Sequence, residues 1–312
     1  MGKPIRRIVV GVGEIEDDPH LAAAIRLAEA VGATLYAVYA FRLPDPVLYS
    51  YASVNIFDPD VIRQIEEDAR SRLEAQVRKI SGGEHVECRV VSGSAEVAIL
   101  AVAKEMEADL VIVGATRRGT LTRTILGTTA QRVVRVSHLP VLVRRSADRG
   151  SIRRVLLTTD LSDLSAAVYQ RGLELAGAIG AAGELQVRSL LVLNYIYGLV
   201  PPPPLSQRSV QEAAEADLAA FLERAAAGVP ASSGKVRTGE AAKEIVAEAS
   251  DWGADLIILG THGRTGATRF LIGSVAESVL RSALCDVLVI PATVAPDRFP
   301  AGHEGGSHER AA

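Results

Sequence analysis

The stretch DLIILGTHGRTGATRFLIGS, residues 255–274, gives the strongest single indication of the fold. Its first part, residues 255–259, is a short run of mostly branched apolar side chains, which is typical of a strand buried on both faces of a parallel sheet. Glycines and basic residues follow, and the pattern predicts that a helix begins near Ser274. A strand that leads through such a loop into a helix indicates an α/β protein, in which ligands bind at the carboxyl ends of the strands.

The same pattern occurs twice in the chain. Residues 108–119, ADLVIVGATRRG, match residues 254–265, ADLIILGTHGRT, and place Gly114 and Gly260 at equivalent positions, 146 residues apart. Further matching stretches lie at nearly the same offset: residues 6–12 with 153–159, and residues 127–143 with 273–289. A repeat of this length is a whole domain rather than a solenoid unit.

The repeat divides the 312 residues into two predicted tandem domains, residues 1–146 and residues 151–295, joined by a short charged linker. Residues 296–312 lack hydrophobic periodicity, and we predict a disordered tail there. Within each domain, strand-like runs alternate with helical patterns. This alternation predicts an α/β fold with two doubly wound parallel sheets of five strands each.

The composition excludes several classes of protein. With 48% hydrophobic and 23% charged residues, disorder of the whole chain is excluded, and two cysteines cannot build a disulfide framework. No apolar run reaches the roughly 18 residues of a membrane span, and the N-terminal segment lacks the apolar core of a signal peptide. A net charge of −3 with 4% aromatic residues gives no reason to expect nucleic acid. We expect a cytoplasmic protein without nucleic-acid or membrane partners.

The glycine-rich loop of the second copy is a candidate phosphate site. Gly260 and Gly263 permit sharp turns and a close approach of the backbone to a ligand. Gly273 and Ser274 place N–H groups at a helix N-terminus, where the helix dipole favours an anion. Basic side chains within the loop add positive charge. The alternative interpretation is a structural turn followed by an ordinary serine N-cap.

Two familiar phosphate-binding motifs do not occur in the sequence. There is no GxxxxGK[ST] loop, and the segment that begins with Gly11 and Gly13 lacks the third glycine of GxGxxG. We therefore interpret Gly11 and Gly13 as the end of a strand.

The second copy resembles the universal stress protein family. The family pattern is a strand of the type DLIILG followed by G-x2-G-x9-G-[ST], and residues 260–274 match it in full. The segment LLTTDLSDLS, residues 156–165, is similar to the family's first strand and turn. The resemblance implies a Rossmann-like, adenine nucleotide alpha hydrolase-like domain of five parallel strands that binds ATP, with or without Mg²⁺, in the response to stress.

The resemblance also implies roles for individual residues of the second copy. Adenine and ribose would lie beside three residues near the first two strands: Thr158, Asp160 and Leu193. The phosphates would be held by the loop and by the start of the helix after it, namely by Gly260, His262, Gly263, Arg264, Gly273, Ser274 and Val275.

The first copy departs from this pattern. It keeps Gly114, Gly127 and Thr128 at the same spacing, but Arg117 stands where the pattern has its second glycine. In addition, Gly13 stands where the second copy has its acidic residue. These changes predict a degenerate nucleotide site in the first copy. The alternative is that the arginines of this loop bind an anion by charge pairing.

Three functions remain open from the sequence. The first is a stress-response regulator that acts through ATP occupancy and contacts with partners. The second is an interaction protein that binds no nucleotide. The third is a slow ATPase, which the residues support least: ATP hydrolysis needs a positioned water and metal-supported neutralisation of charge, and the loop of the second copy contains no carboxylate. No catalytic residue and no metal ligands are assigned.

The last strand of each copy is predicted to pair with the other. An apolar edge strand left bare would invite aggregation, and pairing removes that hazard. In the universal stress protein family, which the chain resembles, this strand pairs antiparallel with its counterpart. We therefore expect residues 139–143 to pair with residues 286–290 within one chain as an intramolecular pseudo-dimer, and dimerisation of the whole chain stays open.

Overall fold

A computed structural model describes residues 4–16, 18–42, 58–82, 84–115, 126–145, 151–181, 183–194, 204–225, 233–261 and 272–292. The part before residue 146 is called the first half below, and the part from residue 151 onward the second half. The first half contains β1 (Arg7–Val12), α1 (Pro19–Val31), β2 (Thr34–Phe41), α2 (Pro59–Ile80), β3 (Val86–Ser92), α3 (Ala95–Glu105), β4 (Leu110–Gly114), α4 (Thr128–Val136) and β5 (Val141–Arg144).

The second half repeats this order. Its elements are β6 (Arg154–Thr159), α5 (Asp163–Ile179), β7 (Gln186–Leu193), α6 (Pro204–Ala225), β8 (Ser233–Thr238), α7 (Ala241–Trp252), β9 (Leu256–Gly260), α8 (Ser274–Ser282) and β10 (Asp286–Ile290). The predicted tandem repeat of alternating strands and helices is therefore present. The exact limits of the two predicted domains stay a prediction.

All ten strands belong to one sheet, in the order β3-β2-β1-β4-β5-β10-β9-β6-β7-β8. Every neighbouring pair within a half is parallel, so each half is the doubly wound five-stranded sheet that the sequence predicts. The order reverses beside β1 in the first half and beside β6 in the second. In doubly wound sheets, such a reversal opens a crevice at the carboxyl ends of the strands.

The two halves join through a single antiparallel pair, β5 with β10, which we call the seam. Val141, Leu142 and Val143 pair with Val289, Leu288 and Val287. The predicted pairing of the last strands within one chain is thereby confirmed, and the two predicted sheets form one continuous sheet. Apolar clusters cover both faces of this sheet, and each cluster contains residues of both halves.

Equivalent aspartates accept hydrogen bonds from backbone amides at the start of the first strand of each half. The carboxylate of Asp109 accepts hydrogen bonds from the amides of Arg6 and Arg7, at 2.9 and 3.2 Å. The carboxylate of Asp255 accepts from the two equivalent amides of the second half, at 3.0 and 2.9 Å. The repeat is thus preserved at the level of single hydrogen bonds. Within the described ranges, no helix is both long and apolar enough to cross a membrane.

Candidate functional site

A cavity of about 410 Å³ lies at the carboxyl ends of β6 and β9, where the strand order of the second half reverses. Its size lies within the range of small-molecule and cofactor sites. Six residues that the sequence proposes for nucleotide contact line this one cavity: Thr158, Asp160, Gly260, Gly273, Ser274 and Val275. The fold therefore gathers residues from two places in the chain, about 100 positions apart, around one space.

The start of α8 presents backbone amides to this cavity. Gly273 is the N-cap, with φ −64° and ψ 151°, and its N–H donates to the carbonyl of Thr261 at 2.7 Å. The carbonyl of Gly273 accepts from the amide of Glu277 at 3.0 Å and closes the first turn. Because a glycine N-cap has no side chain, it cannot accept from the next amides of the helix. The amides of Ser274 and Val275 therefore lie at the positive end of the helix dipole beside the cavity.

Asp160 lies half-buried at the opposite wall, in the turn between β6 and α5. Its Oδ1 accepts from the amide of Ser162 at 3.0 Å and from the hydroxyl of Ser162 at 2.6 Å. Ser162 in turn caps α5 by accepting from the amide of Ser165 at 3.1 Å. Asp160 is thus oriented by the helix cap, and the carboxylate is fixed at the edge of the cavity rather than held on a flexible stem.

The apolar wall comes from strand β7 and helix α7. Leu190, Val192 and Asn194 of the β7 segment line the cavity, together with Ile245 of α7. Leu193, which the resemblance places beside adenine, does not line it. Successive strand residues face opposite sides of a sheet, and the side chain of Leu193 packs against the apolar cluster under α6. The structure thus puts Val192 and Asn194 in the place expected for Leu193, and strand alternation could have indicated this from the sequence.

Several sequence predictions fall outside the described residues. They concern the central loop of the second copy, the corresponding loop of the first copy and the tail: His262, Gly263, Arg264, Arg117 and residues 296–312. Their proposed roles stay predictions.

The equivalent crevice of the first half contains a side chain of the protein itself. Gly127 caps α4 with φ −69° and ψ 153°, as Gly273 caps α8, and Thr128 begins that helix. However, the ring of His20 lies directly over Gly114, so that a Cβ on this glycine would come within 2.2 Å of His20 Cδ2. His20 is only 9% exposed. The first half therefore keeps the cap geometry but fills the space beside the end of β4.

The environment of His20 lowers the pKa of its imidazole. Burial lowers its pKa, and this outweighs the opposite effects of Asp18 and of a hydrogen bond with the backbone of Ala115. Counted back from Gly32 and Gly180, which end α1 and α5, His20 corresponds to Val168, a residue that lines the cavity of the second half. The sequence analysis missed His20, and only this helix alignment could have indicated it.

In the first half, Gly13 stands at the position of Asp160, and the nearby carboxylate of Asp18 holds the turn. Asp18 Oδ2 accepts from the amide of Gly13 at 2.7 Å, and its Oδ1 accepts from the amides of His20 and Leu21 at 2.8 and 3.3 Å. Both carboxylate oxygens thus serve the turn and the cap of α1. The carboxylate of Asp18 is therefore engaged by backbone amides of its own turn and helix.

An ionic network holds α7 against β7 and β8, beside the apolar wall of the cavity. Glu248 of α7 is buried and accepts from Arg188 at 2.7 Å and from Arg237 at 2.9 Å. Arg188 also lies over the ring of Trp252, at 4.4 Å from its centre. Burial by itself would raise the pKa of Glu248, but the two guanidinium groups outweigh it, and the pKa is lowered.

We expect Glu248→Gln to destabilise the protein by about 2 kcal/mol, because it removes the charge that two partly buried arginines share. Since the folded-state pKa of Glu248 is lowered, its contribution is present above the unfolded pKa and is lost as the pH falls through the folded pKa. Urea unfolding between pH 7 and pH 3 measures both effects. Glu212→Gln, which affects the exposed pair with Arg208, is the control and should change stability by less than about 0.5 kcal/mol. Equal losses in both variants would contradict the role given to the network.

Comparison with known proteins identifies one family for both halves of the chain. The model of the universal stress protein family matches residues 4–145 and again residues 151–291. Universal stress protein Rv2005c of Mycobacterium tuberculosis (strain ATCC 25618 / H37Rv) is 33% identical over 198 residues, which are 59% of this chain and 62% of that protein. The match thus spans less than two thirds of this relative. Universal stress protein MJ0531 of Methanocaldococcus jannaschii is 30% identical over 142 residues, or 44% of this chain and 81% of that protein.

Solved structures share the fold along nearly the whole chain. A universal stress protein from Archaeoglobus fulgidus DSM 4304 superposes with a TM-score of 0.59 at 17% identity, and the match covers 92% of this chain and 98% of that one. At this level of identity, the likeness concerns the fold alone.

Proposed function

Since the chain belongs to the universal stress protein family, we propose that its second half binds ATP in the cavity between β6 and β9, and that the protein regulates a stress response through this occupancy and through contacts with partners. The observation that carries the proposal is the glycine-capped start of α8, whose first residues line the same cavity as Asp160 and an apolar wall. The helix N-terminus suits an anion, the carboxylate suits the hydroxyls of a sugar, and the apolar wall suits a flat base.

Each part of the nucleotide has a chemical counterpart. The adenine base would lie between apolar side chains of β7 and α7, among them Val192 and Ile245. The carboxylate of Asp160 suits a ribose hydroxyl, because it is a strong acceptor fixed at the cavity edge. The phosphates would lie at the amides of Ser274 and Val275. His262, Gly263 and Arg264 belong to this proposal as loop residues that would help to hold the phosphates.

The lining residues fit a magnesium ion only as a companion of the nucleotide. Asp160 is the one carboxylate among the residues that line the cavity, and the described ranges contain no cluster of three or more residues that could ligate a metal. Mg²⁺ commonly binds through substrate phosphates and one or two carboxylates and keeps several waters. Asp160 would be the protein group nearest to such an ion, and the ion would neutralise charge on the phosphates.

We further propose one nucleotide per chain. The ring of His20 occupies the space over Gly114 that the second half leaves open beside Gly260. A nucleotide in the first half would have to displace a buried imidazole and then contact an arginine at the position of the second loop glycine. The first half would then serve as a folded partner of the second rather than as a second site.

Titration with ATP tests this proposal. Isothermal calorimetry should give a stoichiometry of one per chain. Binding should also raise the melting temperature, since ATP at 100 times its Kd stabilises the folded state by about 2.7 kcal/mol. A melting temperature that does not change up to millimolar ATP contradicts nucleotide binding and favours an interaction protein that needs no nucleotide. A stoichiometry of two contradicts the closed first half.

A further inference from the structure

The seam between the two halves contains a buried ion pair at one end. Arg144, the last residue of β5, places its Nε 3.0 Å from Oδ2 of Asp286, the first residue of β10. Their side chains are only 7% and 2% exposed. The other carboxylate oxygen, Oδ1, accepts from the backbone amide of Arg145 at 2.7 Å, and the guanidinium of Arg145 donates to the carbonyl of Leu280 in α8. Two arginines of the first half thus meet one aspartate and one helix of the second.

The opposite end of the seam is apolar. The centre of the pairing is Leu142 with Leu288, and these two residues occupy equivalent positions of the repeat. A pseudo-two-fold axis therefore passes through this pair, and it relates the end with Arg144 and Asp286 to the end where Pro140 lies opposite Ile290. Both of these apolar residues are buried. The seam is symmetric in its backbone but not in its charges.

This asymmetry distinguishes unlike halves from like halves. If β5 paired with β5 of another copy in the same register, Arg144 would lie opposite Pro140 at both ends instead of opposite Asp286. If β10 paired with β10 of another copy, Asp286 would lie opposite Ile290 at both ends. Each arrangement takes two buried charges away from the opposite charge that they face in the seam, and the loss of one partner of a buried ion pair costs about 3 to 5 kcal/mol. Pairing of the first half with the second leaves none of these charges without a partner.

We infer that Arg144, Arg145 and Asp286 form a partner-selecting lock, which directs each half of the chain to an unlike half and prevents association through like strands. Other specific interfaces discriminate in the same way, by charges that match in the correct pairing and do not match in the others. The ion pair therefore makes the pairing of β5 with β10 more stable than the pairing of either strand with its own copy. The inference does not depend on nucleotide binding.

Charge reversal in the full chain tests the lock. Asp286→Arg places three basic side chains at one end of the seam, and Arg144→Asp places two acidic ones there beside Arg145. We expect either variant alone to lower the melting temperature by roughly 10 °C, as the loss of one partner of a buried ion pair does. The double variant Arg144→Asp/Asp286→Arg restores an opposite-charge pair and should recover at least half of this loss.

Mixing the two single variants tests partner choice directly. The unaltered Arg144 of one chain matches the unaltered Asp286 of the other, and the two reversed residues match each other. An equimolar mixture, with one chain labelled with ¹⁵N, should give a 1:1 complex by native mass spectrometry that neither variant forms alone. If both variants are folded by circular dichroism, but the mixture forms no complex and the double variant recovers no stability, the lock is refuted.

A milder variant covers the case in which charge reversal prevents folding. Asp286→Asn keeps the shape of the side chain and an acceptor for the amide of Arg145, but removes the charge. We expect amide hydrogen exchange at Val141 and Val143 to become at least 10-fold faster, because the seam opens more often. Unchanged exchange at these amides would overturn the inference.

Discussion

Ser274→Asp is expected to lower the affinity for ATP by about 100-fold or more, because it places a negative charge at the amides proposed to hold the phosphates. Two unit charges 4 Å apart repel by about 4 kcal/mol at an effective dielectric constant of 20. The phosphates carry several charges, and the loss is therefore large even when water screens part of the repulsion. Isothermal calorimetry with ATP measures the change.

The same substitution should leave the fold intact, which separates lost binding from unfolding. Ser274 is the first residue of α8, and an acidic side chain in the first turn of a helix interacts favourably with the helix dipole. We expect the melting temperature of the nucleotide-free variant to stay within about 2 °C of that of the unaltered protein or to rise. A variant that unfolds easily would not count as evidence for a phosphate site, so both measurements are made on the same sample.

Thr128→Asp is the matched control. Thr128 begins α4 after the glycine N-cap Gly127, just as Ser274 begins α8 after Gly273. If the first half binds no nucleotide, this variant should bind ATP as the unaltered protein does. Equal losses of affinity in both variants would mean that both halves contribute to ATP binding. Unchanged affinity in both would contradict the proposed phosphate contact at the start of α8.

The fold could be predicted from the sequence because its signals are local and are given twice. Helices and strands alternate in both halves as the pattern predicts, and the short apolar runs at β4 and β9 form inner strands of the sheet. Parallel central strands need apolar residues on both faces, so their signal is strong. The pairing of β5 with β10 followed from the cost of leaving an apolar edge bare.

The candidate site could be predicted only in part, because some of its features depend on contacts between distant segments. Glycine spacing and the family resemblance indicated Gly260, Gly273 and Ser274. Neither could indicate that Val192 of β7 and Asn194 just after it line the cavity while Leu193 does not, since the choice of Leu193 followed family position rather than strand alternation. The closing of the first crevice by His20 depends on how α1 meets the end of β4, and no local pattern contains that contact.

The seam shows the same limit. Each half contains an apolar last strand, and this was sufficient to predict the pairing. The charges at its end, Arg144 and Asp286, are about 140 positions apart. Their meeting depends on the register of an antiparallel pair, which the apolar pattern leaves open by one or more residues. The register was therefore a result of the structure, and the partner selection that we infer from it could not be reached from the sequence.

Gly114→Ala is expected to destabilise the protein by about 2 to 3 kcal/mol, because its new methyl group would collide with the ring of His20. A Cβ at this position would lie 2.2 Å from His20 Cδ2 and 2.8 Å from Nε2, closer than side chains approach one another. The ring is buried, so it has little room to move away. The denaturant midpoint in urea reports the loss, at unchanged slope if the native state stays compact.

The double variant Gly114→Ala/His20→Ala shows whether the ring is the cause. Removal of the imidazole opens space for the methyl group, so the two substitutions together should cost clearly less than the sum of their separate effects, with a coupling of about 1 kcal/mol or more. Gly177→Ala, on the exposed side of α5, is the control: beyond its own helix backbone and chain neighbours, no atom of the described residues lies within 4 Å of its Cβ position. It should stabilise the helix by about 0.5 to 1 kcal/mol. Additive effects at Gly114 and His20 would contradict the closed crevice, because the two groups would then not compete for the same space.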